Sequence, residues 1–380
     1  MNESTQAPAE QAPTGQTGPT GVELWAPVAR TVDLRVPPEH RVPVAIVGAG
    51  AIVDVAHLPA YRAAGIEVVG IFDIDGERAR EVASRHGLSR VYESLEEVLA
   101  DERVQVIDVA VVASAQPEIV RRAVAAGKHL LCQKPFAPDL TTAEELRDLA
   151  DEAGVCVAVN QQLRFDEGVA VARAAVEAGW IGEPTAMTVH VDIATDFGAW
   201  PWLLVSERLE IAYHSIHYLD AIRSILGDPE TVYCAAGRRP GQAPAAETRT
   251  MTTLRFASGA SAGLHVNHEN LGGDVRAEFR VDGSEGSVRG TFGLLLDYPH
   301  GRPDTVELFS RVVPTDGWVP YPVTRRWIPD AFAGPMQGLL RWIATGQPAP
   351  TAAADNVGTL RLVEAAYASI SSGQAEKVDR

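Results

Sequence analysis

The sequence predicts an α/β protein: an N-terminal doubly wound parallel sheet, then a C-terminal α+β domain with a large, mostly antiparallel open sheet. Three observations carry this. Short apolar runs alternate with helix-forming stretches from residue 42 to about 160. A Gly48-x-Gly50 turn follows the first of those runs. Beyond residue 160 the short segments alternate polar and apolar residues, the pattern of strands with one covered face.

The parallel half is built in order. Residues 42–47 are a β-branched run leading into Gly48-Ala49-Gly50 and a helical stretch reaching Ala60. Strand 67–72 precedes helix 77–85, with a turn at Asp75-Gly76 between them. Helix 95–99, strand 104–113, helix 117–126, strand 129–132, helix 142–152 and strand 155–159 complete the alternation. The second half has strands at 185–191, 231–235, 250–256, 260–267, 277–281 and 306–308. Helices are predicted at 165–178, 215–226, 331–343 and 356–371, covering the sheet or returning to the first domain. The predicted organisation is a disordered tail and docking extension over 1–40, a dinucleotide-binding domain over 41–160, and a substrate-binding and oligomerisation domain over 161–380.

Composition narrows the function classes. A hydrophobic fraction of 46% and a charged fraction of 22% are those of a soluble globular chain. The formal net charge of −17 repels phosphate backbones and anionic lipid, so neither nucleic acid nor a membrane is expected as a partner. Cys132, Cys156 and Cys234 are scattered without metal-ligand spacing, which predicts reduced thiols and a cytoplasmic location. Residues 1–20 contain no apolar run and read as a disordered tail. Apolar content rises at Leu24, Trp25, Val28, Val32 and Leu34, which predicts an extension that docks on the body.

The glycine turn between strand and helix predicts a Rossmann dinucleotide site. Gly48 permits the turn, Gly50 admits a pyrophosphate, and the following helix offers its N-terminal N–H groups. Val53 replaces the third glycine of the fingerprint, which alters helix–strand packing more than phosphate contact. Asp73 ends the second strand, roughly two dozen residues on, where a carboxylate binds ribose hydroxyls and repels a 2′-phosphate. NAD is therefore favoured over NADP. Asp75 is the rival acid, and its neighbour Gly76 marks it as a turn residue. The predicted cofactor surface comprises Gly48, Gly50, Ala51, Ile52, Asp73, Ser114, Gln133 and Lys134.

Several motifs in order carry a family resemblance. They are Val44 to Gly50 with His57-Leu58-Pro59-Ala60, Ala126-Gly127-Lys128-His129 leading to Gln133-Lys134-Pro135, and Arg164-Phe165. Next come Gly179-Trp180-Ile181-Gly182-Glu183-Pro184, and His217-Tyr218-Leu219-Asp220 running to Leu226-Gly227-Asp228-Pro229. From residue 42 onward the chain resembles the glucose-fructose oxidoreductase and inositol dehydrogenase relatives, the Gfo/Idh/MocA family. The resemblance implies hydride transfer between nicotinamide and a sugar, polyol or related carbon. It implies that Lys134 handles the proton of the reacting hydroxyl, and that His217 is a second acid, base or hydrogen-bond donor. The family's Glu-Lys-Pro is Gln133-Lys134-Pro135 here, which removes a negative neighbour and favours a neutral lysine. The family's Asp-x-x-x-His has Tyr213 in place of the aspartate. A helix beginning near His214 would stack Tyr213 and His217 one turn apart, making the phenol a third catalytic candidate.

At the substrate end, Asn160, Gln162 and Arg164 follow the last parallel strand and are predicted to hydrogen-bond several hydroxyls. Trp202, in Trp200-Pro201-Trp202, offers a flat face to a sugar ring or simply packs in its loop. His214 reads equally as a substrate contact or a satisfied core histidine. His214, His217 and Asp220 lack a further ligand, so no metal is predicted. The expected partner is a small polyhydroxylated molecule, with a homodimer or homotetramer formed through the open sheet. Dehydrogenase or ketoreductase chemistry leads. An NAD-retaining lyase or glycoside-cleaving enzyme and a non-catalytic dinucleotide sensor are the alternatives.

Overall fold

The computed structural model describes residues 21–379 apart from 314. The predicted disordered tail, residues 1–20, lies outside the described residues. The first sheet has five parallel strands, β1 (Val44–Val47), β2 (Val68–Phe72), β3 (Val106–Val109), β4 (His129–Cys132) and β5 (Val157–Val159). Their order is β2-β1-β3-β4-β5. Every residue of β1, β3 and β5 is buried, which is why these strands read as unbroken apolar runs. The strand order reverses between β1 and β3, so the connections leaving their C-terminal ends diverge and open a crevice there.

The predicted strand 104–113 is shorter than its apolar content suggests. Ala110 N–H still reaches Val47 O at 2.8 Å, but the chain then turns over the crevice into helix Gln116–Ala125. Aspartates cap the neighbouring helices: Asp75 accepts from Arg78 N–H ahead of Gly76–His86, and Asp139 from Thr142 N–H ahead of Leu140–Ala153.

The second sheet has nine strands: β6 (Pro184–Asp192), β7 (Thr231–Gly237), β8 (Arg249–Arg255), β9 (Ser261–Asn267), β10 (Arg276–Gly283), β11 (Gly286–Thr291), β12 (Val306–Ser310), β13 (Val319–Tyr321) and β14 (Glu376–Lys377). Their order is β13-β12-β11-β10-β6-β9-β8-β7-β14, antiparallel throughout except for β6 beside β9. Burial alternates along β8, with Thr250, Thr252 and Leu254 inward. Strand β11 escapes sequence reading because its glycines dilute the pattern. Gly290 is required there, since a Cβ would lie 2.5 Å from the Thr305 carbonyl oxygen.

The two sheets are tied by the C-terminal helices. Helix Ala333–Thr345 packs on β4 and β5, and Ala353–Ser372 packs on β7 and on helices Leu140–Ala153 and Ile216–Leu226. Between them, Thr351 O accepts Val159 N–H at 2.8 Å and Ala352 bridges Ala158, so this segment lies along the β5 edge. Near the other end, helix Gly21–Ala29 buries Trp25 against Trp180 and Tyr321, with ring centroids 5.5 and 5.4 Å away. Among the described residues no helix is long and apolar enough to cross a membrane.

Candidate active site

The crevice is built from the ends of β1 to β5. Gly48 sits at φ +114°, and a Cβ there would lie 2.4 Å from Ala110 O, so only glycine fits. Gly50 faces open space, leaving its backbone approachable, and the helical run through Ala51 and Ile52 starts directly after it. Asp73 braces this turn: its carboxylate accepts Ala49 N–H at 2.6 Å and Asp75 N–H at 2.8 Å. Asp75, the rival acid, caps the following helix, its carboxylate accepting Arg78 N–H at 3.2 Å. Ser114 is exposed in the turn leading from β3 to the next helix.

Lys134 leaves the end of β4. Its ammonium donates to the backbone carbonyl of Tyr213 at 2.5 Å, and burial pulls its pKa down to about 8. The loop that carries it is held from behind. Buried Gln116 donates to the carbonyls of Gln133 and Pro135 at 2.9 and 2.8 Å. The Gln133 side chain accepts Lys134 N–H at 3.0 Å and donates to His57 Nε2 at 3.0 Å, so it acts inward as a brace rather than facing a cofactor. His57 Nδ1 in turn meets the Asp108 carboxylate at 2.6 Å, with the Tyr61 hydroxyl on the same oxygen at 2.7 Å. That pattern assigns the ring proton to Nδ1.

Sequence reading gave no role to His57, Tyr61, Asp108 or Gln116. One signal was available: Asp108 interrupts an otherwise apolar buried strand, where a carboxylate needs partners.

The predicted pairing of Tyr213 with His217 is corrected. Residues Glu210–Ser215 form a π-helical turn, and the α-helix Ile216–Leu226 starts only after it. The wider i→i+5 turn breaks the one-turn stacking that an α-helix would impose. The Tyr213 ring instead meets Trp202 at 5.0 Å, in a small cluster with Phe197, Leu203 and Leu209. Its carbonyl, not its phenol, faces the lysine.

His217 is buried, with its ring edge-on to Trp327 at 5.6 Å and Nδ1 without a hydrogen-bond partner among the described residues. Burial first, then the charge of Lys134 and neighbouring His214, hold its pKa well below the usual imidazole range. It is a neutral imidazole near pH 7, which leaves hydrogen bonding as its part of the expected acid, base or donor role.

At the substrate end, Arg164 is also corrected. Its guanidinium is buried and donates to Asp220 at 2.5 and 2.6 Å, to Asp355 at 2.7 Å and to Pro350 O at 2.8 Å. It ties helices together instead of meeting hydroxyls. Asp220 is consumed by the same pair, so His214, His217 and Asp220 do not form a ligand set. Asn160 is fully buried, with Nδ2 3.4 Å from His57 Nε2, and its amide oxygen and that of Gln162 have no partner among the described residues. Trp202 keeps 45% of its surface exposed.

The Gfo/Idh/MocA oxidoreductase family description, with its NAD-binding Rossmann fold, matches residues 42–161, and the Gfo/Idh/MocA C-terminal domain matches 149–289. The D-apiose dehydrogenase of Paraburkholderia graminis is 31% identical over 330 residues, 84% of this chain and 85% of that protein. The chain belongs to the Gfo/Idh/MocA family. This Gfo/Idh/MocA chain is also similar to the 1,5-anhydro-D-fructose reductase of Ensifer adhaerens, 31% identical over 251 residues, 64% of this chain and 74% of that one. A levoglucosan dehydrogenase solved with NADH and levoglucosan shares the fold at a TM-score of 0.77 and 19% identity, covering 90% of this chain and 100% of the other. As a Gfo/Idh/MocA member the protein is an oxidoreductase whose Rossmann domain binds NAD. The glycine cradle at Gly48 and Gly50 and the carboxylate of Asp73 fit that group.

Proposed function

We propose that this oxidoreductase acts on a secondary hydroxyl, or the matching ketone, of a sugar, glycoside or cyclitol, with Lys134 as the proton-transfer group. The observation that carries the reading is the Lys134 ammonium, drawn into the crevice by the Tyr213 carbonyl with its pKa lowered to about 8. Near pH 7 roughly a tenth of such a lysine is neutral, against a negligible share for a free one. Its neutral amine accepts the hydroxyl proton, and its ammonium returns one in the reverse direction. His217, being neutral, orients the same oxygen by hydrogen bonding. Gly48, Gly50, Ala51, Ile52 and Asp73 would hold the dinucleotide, which when bound supplies the hydride acceptor or donor. The substrate class is supported by the D-apiose and 1,5-anhydro-D-fructose activities named for its relatives.

Asp73 favours NAD over NADP, because a second negative charge from a 2′-phosphate would face its carboxylate. The test is a screen of pentoses, anhydro-sugars and cyclitols for NADH absorbance with the purified protein. Turnover of at least one such compound is expected with NAD and less with NADP. No turnover across the panel in either direction would overturn the reading.

A further inference from the structure

A second group of ligand-type side chains lies beside the crevice. Glu210 and His214 sit four residues apart on the π-helical turn, and His268 follows β9. One carboxylate oxygen and one nitrogen from each histidine lie within 4.8 Å of one another. Glu210 and His268 are buried, at 0% and 4% exposure.

Each member also has a hydroxyl partner. Thr250 Oγ1 donates to Glu210 Oε2 at 2.6 Å, and the Ser215 hydroxyl donates to Oε1. Thr195 Oγ1 lies 2.7 Å from His268 Nδ1, and the Tyr218 hydroxyl lies 3.4 Å from His214 Nε2. In the tautomers that carry the ring proton on these outer nitrogens, His214 Nδ1 and His268 Nε2 are lone pairs. Neither has a hydrogen-bond partner among the described residues. In those tautomers two lone pairs and a carboxylate converge, an arrangement that a cation satisfies and that is otherwise costly.

We propose that Glu210, His214 and His268 bind a divalent transition-metal ion of the zinc type, with water or a substrate oxygen completing its coordination. Two imidazoles and one carboxylate are a donor set suited to zinc, and a hydrogen-bond acceptor on each outer ring nitrogen is how such ligands are oriented. Metal–ligand lengths of about 2.0–2.1 Å require the three atoms to draw together by about 1 Å, within reach of side-chain torsions. The other candidate cluster, His190, Asp192 and His265 on the outer face of the large sheet, is weaker. There His190 lies 2.5 Å from one Asp192 oxygen and Asn267 donates to the other at 3.0 Å.

The experiment uses the full chain, stripped with a chelator and titrated with zinc chloride by calorimetry. One equivalent is expected to bind, with affinity reduced at least tenfold in Glu210→Gln and in His268→Gln and unchanged in His265→Ala. Absence of saturable binding overturns the site. So does binding that survives both substitutions, or binding lost in His265→Ala instead. Cobalt loading of the wild type tests the site even if a variant fails to fold. Intense visible bands of four- or five-coordinate cobalt support it, and the weak spectrum of the six-coordinate aquo ion overturns it.

Discussion

Lys134 is the residue on which the proposed chemistry turns, and its setting gives a signed pH dependence. Only the neutral amine accepts a proton, so oxidation should accelerate as pH rises through about 8 and level off above it. Lys134→Ala should cost ~10²–10⁴ in kcat while NAD affinity, followed by fluorescence titration, stays within a few-fold. A variant turning over at the wild-type rate would remove Lys134 from the chemistry. Tyr213→Phe should leave kcat and the pH profile unchanged, because the phenol makes no hydrogen bond among the described residues and the carbonyl that meets Lys134 survives. A shifted profile in that variant would restore a role for the hydroxyl. Lys134 and His217 could be singled out in the sequence because their neighbours follow a family pattern. His57 and Gln116 could not be given roles, because these come from contacts with Asp108 and with the Gln133 and Pro135 carbonyls, and spacing along the chain does not encode such contacts. Arg164 was misread for the same reason: a guanidinium after a strand end looks available until Asp220 and Asp355 are folded onto it.

Elements were more legible than residues, and they failed where local hydrogen bonding departs from ideal geometry. Strand β4 matches its predicted bounds because a short apolar run between a helix and a polar turn has one reading. The π-helical turn at Glu210–Ser215 had none. Its residues suit an α-helix, and only packing against β8 and helix Ala353–Ser372 shows the wider turn. The glycine turn allows a sharp test. Gly48→Ala would drive a methyl into Ala110 O and force a residue other than glycine to positive φ, so NAD binding should fall at least tenfold by titration. Unchanged affinity would show that the turn yields more than its packing suggests. The Arg164–Asp220 pair belongs to the same scale. Asp220→Ala leaves a buried guanidinium short of its main partner, and the expected loss is about 3–5 kcal/mol in urea unfolding.

For the whole molecule, alternation of period and of polarity sufficed to predict a parallel sheet followed by an antiparallel one. The number of strands in the second sheet was not legible, because β11, β13 and β14 are glycine-bearing or very short. The outer face of that sheet carries Met251 and Tyr233 exposed among polar residues. We expect it to pair with a second copy, so light scattering at micromolar concentration should give a dimer or tetramer mass, and a monomer mass would count against it. The strip of chain at Thr351 and Ala352 adds a consequence for biogenesis. Strand β5 is bordered by residues nearly two hundred positions downstream, so the nascent Rossmann sheet leaves the ribosome with an unguarded margin. Translation must pass residue 352 before that margin is sealed, and until then it is where chaperones have most to protect.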